Sequence, residues 1–429
     1  MKAPKKKTRR NIRLATAGLE AVLAGADRWQ LFKADVLCAL RQLPDASFDA
    51  LLGDVPYGLG PRSPSVDEII AYLRGAEIDT GGDFMGKRWM IPSVKVWREA
   101  YRVLKPGAHL AVFGGTRTYD LISLGLRAAG FALRDSIEVF GLPPAGPVAH
   151  WIQSQGRPKS PSSLSPSHEP VLLFRKPLGG SVADNAARYG TGQLNIDACR
   201  TLTDWSERSD AWKLSGHSAK PDAVKIASPA GVGIDCHPAG RWPANIVLCH
   251  HQGCKKLTGR AGAEGDYLCH PDCAVRHVVA AAGDDSAAAR LFPTVGVDIE
   301  PEMLYCAKAS RSEREAGCGA IAPRCGIRNT GPCVKPVKLT RWLARLVCPP
   351  GGAVLVPYAG TGSEMIGAVL EGARAVGIEL DPDDDGYVEI ARARIAWWLE
   401  HPGGLTPEAV QEQALETRGQ QQLFGATAP

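Results

Sequence analysis

Apolar positions along this chain form two blocks of alternating short and long periods, separated by a stretch that keeps no period. From residue 29 to about 178, "FDALLGDV", "AHLAVFGG" and "EPVLLFRK" are short apolar runs, while "SVKVWREAYRVL" and "TYDLISLGLRAAG" repeat apolar residues at helical spacing. The alternation returns from 335. There "VKLTRWLARLV" reads as a helix, "GAVLVPYAG" as a strand and turn, "SEMIGAVLEG" as a helix, "ARAVGIELD" as a strand and "YVEIARARIAWWLE" as a helix. Strands that alternate with helices predict an α/β fold with a doubly wound parallel sheet.

From about 179 to 332, Gly, Pro, Ser, Cys and His displace the long apolar periods, as in an inserted domain or a long irregular excursion. The predicted organisation is a basic disordered arm (1–28), two halves of one sheet domain (29–178 and 333–402), an inserted region (179–332) and a polar tail (403–429). No internal repeat is present.

Composition narrows this picture. At 429 residues, 45% hydrophobic and 22% charged, the chain has the make-up of a soluble globular protein. The net charge is +5, yet the opening "MKAPKKKTRRNIR" is dense in Lys and Arg and reads as a solvated arm. Neither an apolar run of membrane-spanning length nor a secretory core occurs in the sequence, so a cytoplasmic protein without a membrane partner is expected. The 12 cysteines are then thiols, held by metal or buried.

Two stretches carry candidate chemistry. In "VLVPYAGTGSEMIGAVLEGARAVGIELD", residues 354–381, a strand runs into Gly360 and Gly362, a helix follows, and a second strand ends at Glu379. Glycines admit a ligand close to the backbone, and an acid there accepts hydrogen bonds from a ribose. No lysine follows the glycines, which excludes a P-loop. The second stretch, "GDVPYGLG", sets an acid, a proline and an aromatic at the carboxyl end of a strand, the edge where open parallel sheets bind ligands.

The first stretch resembles the S-adenosylmethionine motif of DNA amino-methyltransferases, and "GDVPYGLG" resembles their Asp-Pro-Pro-Tyr loop. "DVLCALRQLPDASFDALLGDVPYG" is similar to the approach to that loop, and "CVKPVKLTRWLARLVCPPGG" to the Lys-Pro segment ahead of the cofactor strand. The resemblance covers residues 31–178 and 333–399. It implies a Rossmann-like methyltransferase sheet in the permuted order of the beta group, with target recognition between the halves.

The resemblance also implies roles. Asp54 and the carbonyl of Val55 accept the N–H bonds of the base amine, Pro56 stiffens the loop, and Tyr57 stacks on a flipped base. On the cofactor side stand Tyr358, Gly360, Gly362 and Glu379. Asp35 lies near the adenine end of the cofactor or is a surface acid before a helix; Lys335 borders the methionine end or begins an exposed helix. Two departures stand out: Val55 replaces the family's first proline, and Val356 replaces its acid before Pro357.

Within "CHHQGCKKLTGRAGAEGDYLCHPDCAVRH", His250 and Cys254 form one short-spaced pair and Cys269 and Cys273 another. Two such pairs suit one structural zinc, with Cys249, His251, His270 and His277 competing for a ligand position. Nearby Lys255, Lys256, Arg260 and Arg276 face DNA phosphates or form a solvated basic surface. "GRWPANIVLCH" and "ASRSERE" resemble segments of phage-type members of the family. The expected activity is methylation of adenine N6 in double-stranded DNA. Cytosine-N4 methylation, methylation of RNA or protein, and a DNA-binding protein with a vestigial fold are the alternatives. A restriction endonuclease partner fits this reading, although no residue points to one.

Overall fold

The apolar runs form the expected strands in a computed structural model, which describes residues 14–81, 90–140, 168–200 and 309–404 except 15, 325 and 382–384, with short segments at 243, 245–248, 255–256 and 267–268. Strands β1 (Trp29–Lys33), β2 (Phe48–Asp54), β3 (Leu104–Phe113), β4 (Ala132–Phe140), β5 (His168–Arg175) and β6 (Ile246–Leu248) precede a two-stranded ribbon, β7 (Lys255–Lys256) with β8 (Tyr267–Leu268). With β9 (Ala353–Val356) and β10 (Arg374–Glu379), they complete, among the described residues, an eight-stranded sheet in the order β1-β10-β9-β2-β3-β5-β4-β6.

The central strands β2 and β9 are buried almost throughout because both faces of the sheet are covered there. In β2, Ala50 and Leu52 point to one core and Phe48 and Leu51 to the other; in β9, Val354 and Val356 alternate with Ala353 and Leu355 in the same way. Helices α1 (Thr16–Ala24), α2 (Val36–Leu40), α3 (Val66–Leu73), α4 (Val94–Val103) and α5 (Tyr119–Ala128) bury Val22, Leu40, Tyr72, Trp97 and Ile122 on the second core. The short helices α6 (Val182–Tyr189) and α7 (Arg311–Glu315) follow in the chain. On the first core, α8 (Val337–Val347), α9 (Ser363–Leu370) and α10 (Tyr387–Glu400) bury Trp342, Ile366 and Ile395. Each such large side chain contributes about 1.5–3 kcal/mol. The doubly wound reading holds.

One expectation needs correction. The sheet is mixed, since β5 runs antiparallel to both β3 and β4. The alternation of strands with helices could not signal this, because direction depends on how the chain returns to the sheet. Residues near both ends of the inserted region pack against the sheet domain. Cys199 and Ala316 lie in the first core, and the Asn195 N–H donates to the Leu346 carbonyl of α8 at 2.9 Å.

Helices α8 and α9 meet backbone to backbone. A Cβ at Gly367 would come within 2.5 Å of the Thr340 carbonyl carbon, and the Thr340 hydroxyl donates to the Ser363 carbonyl at 2.9 Å. Cys199, Cys318 and Cys348 are buried free thiols, pushed by burial to about 12, 11 and 12.

His250, Cys254, Cys269 and Cys273 lie outside the described residues. Among the described residues, no group of His, Cys, Asp and Glu could hold a metal, and no helix is long and apolar enough to cross a membrane.

Candidate active site

Neighbouring β2 and β9 send their chains in opposite directions. From β9 the chain crosses through α9 to β10, whereas from β2 it crosses through α4 to β3, on the other side and the other face. Doubly wound sheets bind ligands in the crevice at the point where this direction reverses. Both sequence motifs end there. Asp54 closes β2 opposite Phe113 of β3, and the glycine turn leaves β9, whose Val354 and Leu355 pair with Ala50 and Leu51.

Asp54 is anchored through one oxygen. Its Oδ1 accepts from the Tyr57 hydroxyl at 2.9 Å and lies 3.2 Å from the Lys335 ammonium. Among the described residues no hydrogen bond reaches Oδ2, and the side chain is 19% exposed. Burial raises the pKa of Asp54, the charge of Lys335 opposes that rise, and Glu169 and Tyr57 act in opposite directions upon it.

Lys335 does not begin an exposed helix; it is 6% exposed. Pro336, in extended conformation, caps α8, and the Val337 N–H donates to Glu313 Oε1 at 2.6 Å, so the chain enters the helix with Lys335 turned into the crevice. Its ammonium donates to Glu169 Oε1 at 2.7 Å and to the Tyr57 oxygen at 3.1 Å, and sits 4.7 Å from the Phe113 ring centre. Three N–H bonds thus reach three oxygens. Burial alone would lower the lysine's pKa; Asp54 and Glu169 outweigh burial and raise it.

Tyr57 has its hydroxyl end tied inward, on Asp54 and, at 2.5 Å, on Glu169 Oε1. Burial and the two carboxylates raise its pKa well above the usual phenol value. One ring edge is fixed by the backbone at Gly115, where a Cβ would approach within 3.1 Å of it. Val55 is 2% exposed and packs in the second core, so side-chain packing supplies the rigidity that a proline ring would give. Pro56 is half-buried between them.

On the cofactor side, Gly360 and Gly362 take φ of +50° and +89°, which a residue with a Cβ adopts at a cost. The space a Cβ at Gly360 would fill is open. Glu379 braces this turn: its Oε2 accepts from the Gly360 N–H at 2.8 Å and its Oε1 from the Asp381 N–H at 2.9 Å. Each oxygen keeps a lone pair for a ligand hydroxyl. Tyr358 is half-buried in the second core, and its pKa is raised by burial and then by the charge of Asp35. Asp35 is the N-cap of α2, accepting from the Cys38 N–H at 3.0 Å at the same sheet edge.

Three participants were not singled out from the sequence. Glu169 is the second residue of β5, and Arg394, fully buried in α10, donates to the Thr361 carbonyl at 2.6 Å and so holds the glycine turn. Glu364 is the third. It lies in the first turn of α9, 3% exposed, and its Oε1 is buried without a partner. Burial, followed by the charge of Asp54, pushes its carboxyl up to about 8. Only Glu364 left a local sign, an acid directly after a Gly-x-Gly turn.

Comparison with known proteins yields one family and several relatives. The model of the family described as DNA methylase, which groups N6 and N4 methyltransferases, matches residues 48–392. Type II methyltransferase M.HindIII of Haemophilus influenzae is 23% identical over 225 residues, covering 42% of this chain and 68% of its own. A DNA modification methylase of Thermus thermophilus, solved with S-adenosyl-L-methionine, is 17% identical with a TM-score of 0.37, over 88% of this chain and 98% of that one. PvuII DNA methyltransferase, cytosine-N4-specific, is 12% identical with a TM-score of 0.44, over 90% and 91%.

Proposed function

The chain belongs to the DNA methylase family of N6 and N4 methyltransferases, and from that premise we propose that it methylates the N6 amine of adenine in duplex DNA. The observation that carries methyl transfer to an exocyclic amine is the half-anchored carboxylate of Asp54, with Oδ1 held and no hydrogen bond on Oδ2 among the described residues; the acid that leads the loop favours adenine.

An exocyclic amine is a weak nucleophile because its lone pair is delocalised into the ring. Asp54 Oδ2 accepts one N–H and the Val55 carbonyl the other, which draws the nitrogen toward tetrahedral geometry and frees the lone pair. Tyr57, tethered at its hydroxyl, offers a ring of fixed orientation on which an extruded base stacks. Alignment then governs the attack. S-adenosylmethionine, when bound, supplies an electrophilic methyl group on a sulfonium.

The residues present fit that cofactor. Glu379 would hold the ribose hydroxyls, Gly360 and Gly362 would leave room at the backbone, and Tyr358 and Asp35 would border the adenine end. Near the methionine end, Glu364 has a buried oxygen with no donor, which an α-ammonium group would satisfy. Glu364→Gln is therefore expected to weaken S-adenosylmethionine binding roughly ten- to a hundredfold. Binding of 5′-methylthioadenosine, which lacks the amino-acid end, should stay unchanged. Its carboxyl carries a raised pKa in the folded chain, so the cofactor-free protein loses stability as pH rises from about 4.5 to about 8. The same variant should remove that loss, as read by melting temperature at pH 5 and 8.5. Equal weakening of both ligands by calorimetry would count against the role.

Transfer of labelled methyl from S-adenosylmethionine to unmodified duplex DNA, followed by nucleoside analysis, tests the base. N6-methyladenine is the expected product. N4-methylcytosine would replace the adenine reading, and no transfer with DNA binding retained would favour a vestigial fold.

We also assign a structural zinc to His250, Cys254, Cys269 and Cys273, in a region whose Lys255 and Lys256 supply phosphate contacts. Purified protein is expected to carry one zinc per chain by elemental analysis, and chelation to lower its melting temperature. Fully stable metal-free protein would refute the site.

A further inference from the structure

Glu169 enters the site only because β5 is reversed. Its pairing with β3 sets Val171 opposite Phe113, so the start of β5 stands at the carboxyl edge of the sheet, above Asp54. Glu169 is 18% exposed in its side chain, and its Oε1 receives both groups that hold Asp54: the Tyr57 hydroxyl at 2.5 Å and the Lys335 ammonium at 2.7 Å. A phenol has one proton. Both carboxylates lie within hydrogen-bond reach of it, so they compete, and what Glu169 draws is withheld from Asp54. Asp54 therefore keeps its acceptor strength while its orientation stays fixed.

We propose that Glu169 is a positioning residue for methyl transfer, drawing Tyr57 and Lys335 toward itself so that Asp54 presents an unsaturated carboxylate oxygen to the base amine. The inference rests on the reading of Asp54 given above. Without the Glu169 charge, the tyrosine proton and the lysine ammonium both settle on Asp54. Its acceptor strength falls and its side chain turns. The charged and titratable groups facing Asp54 are Tyr57 from its own loop, Glu169 from β5, Lys335 ahead of α8 and Glu364 from α9.

The test compares wild-type protein with Glu169→Gln and Glu169→Asp. In Glu169→Gln, single-turnover transfer should slow on the order of a hundredfold, the cost of a misplaced group, with S-adenosylmethionine affinity changed less than about threefold. Because Glu169 raises the pKa of Asp54, the acidic limb of the pH–rate profile should move to lower pH. Glu169→Asp should restore both limb and rate in part. An unmoved limb, or a slowing that only tracks a loss of melting temperature, would overturn the proposal. Carboxyl ¹³C titration of Asp54, assigned with Asp54→Asn, reads the same coupling without turnover. If wild-type protein transfers no methyl group to DNA, a lowered Asp54 titration in Glu169→Gln still upholds the coupling while the methyltransfer reading falls. An unchanged titration overturns the positioning role alone.

Discussion

Replacing Asp54 with alanine should lower methyl transfer by at least about a thousandfold, the scale of losing a preorganised group aimed at the reacting centre. The fold should survive, for a reason visible in the site. Lys335 keeps Glu169 at 2.7 Å, its shorter contact, and the Tyr57 hydroxyl keeps the same oxygen at 2.5 Å, so neither polar group is stranded. Burial already disfavours the Asp54 carboxylate, and its removal relieves that cost. S-adenosylmethionine affinity should change little, because no glycine-turn contact passes through Asp54. Single-turnover transfer and calorimetric binding on the same preparation check this pair of outcomes. Turnover within tenfold of wild type would remove Asp54 from the mechanism.

Lys335→Met should have the largest effect on stability. Methionine fills similar space but leaves Asp54 and Glu169 facing one another across a single phenol proton, with the compensating cation gone. Breaking a buried pair from one side costs about 3–5 kcal/mol. The pH dependence distinguishes charge from packing. Loss of the lysine raises the folded-state pKa of Asp54 further above its unfolded value, and a carboxyl raised in this way destabilises the fold progressively as pH rises toward the folded pKa. The deficit should be larger at pH 8 than at pH 5, by urea denaturation at each pH. An equal deficit at both would make Lys335 a packing residue, and transfer should be lost in either case.

Local pattern was enough to specify much of this molecule. Continuous apolar runs predicted β2, β3, β5, β9 and β10, and helical repeats predicted α4, α5, α8, α9 and α10, because each element's burial period is written in neighbouring residues. Asp54, Val55, Pro56 and Tyr57 were legible for the same reason, as were Gly360, Gly362 and Glu379: each group sits within one strand–turn unit. The sequence left Asp35 between a place near the adenine end of a cofactor and a surface acid, and Lys335 between a border of the methionine end and the start of an exposed helix. Only the tertiary structure buries Lys335 and sets its ammonium on Glu169 and Tyr57.

What no local pattern could carry is the set of contacts that tunes the site. Tyr57 and Glu169 are 112 residues apart, and Lys335 and Glu169 are 166 apart. An apolar strand reads the same in either direction, so the reversal of β5, which moves Glu169 rather than Arg175 to the active edge, follows from the path of the chain and not from its composition. The charge state of a carboxyl likewise depends on burial and on neighbours brought together by folding. Glu364 is one acid among many in the sequence; the tertiary structure alone buries it without a donor and drives its pKa upward.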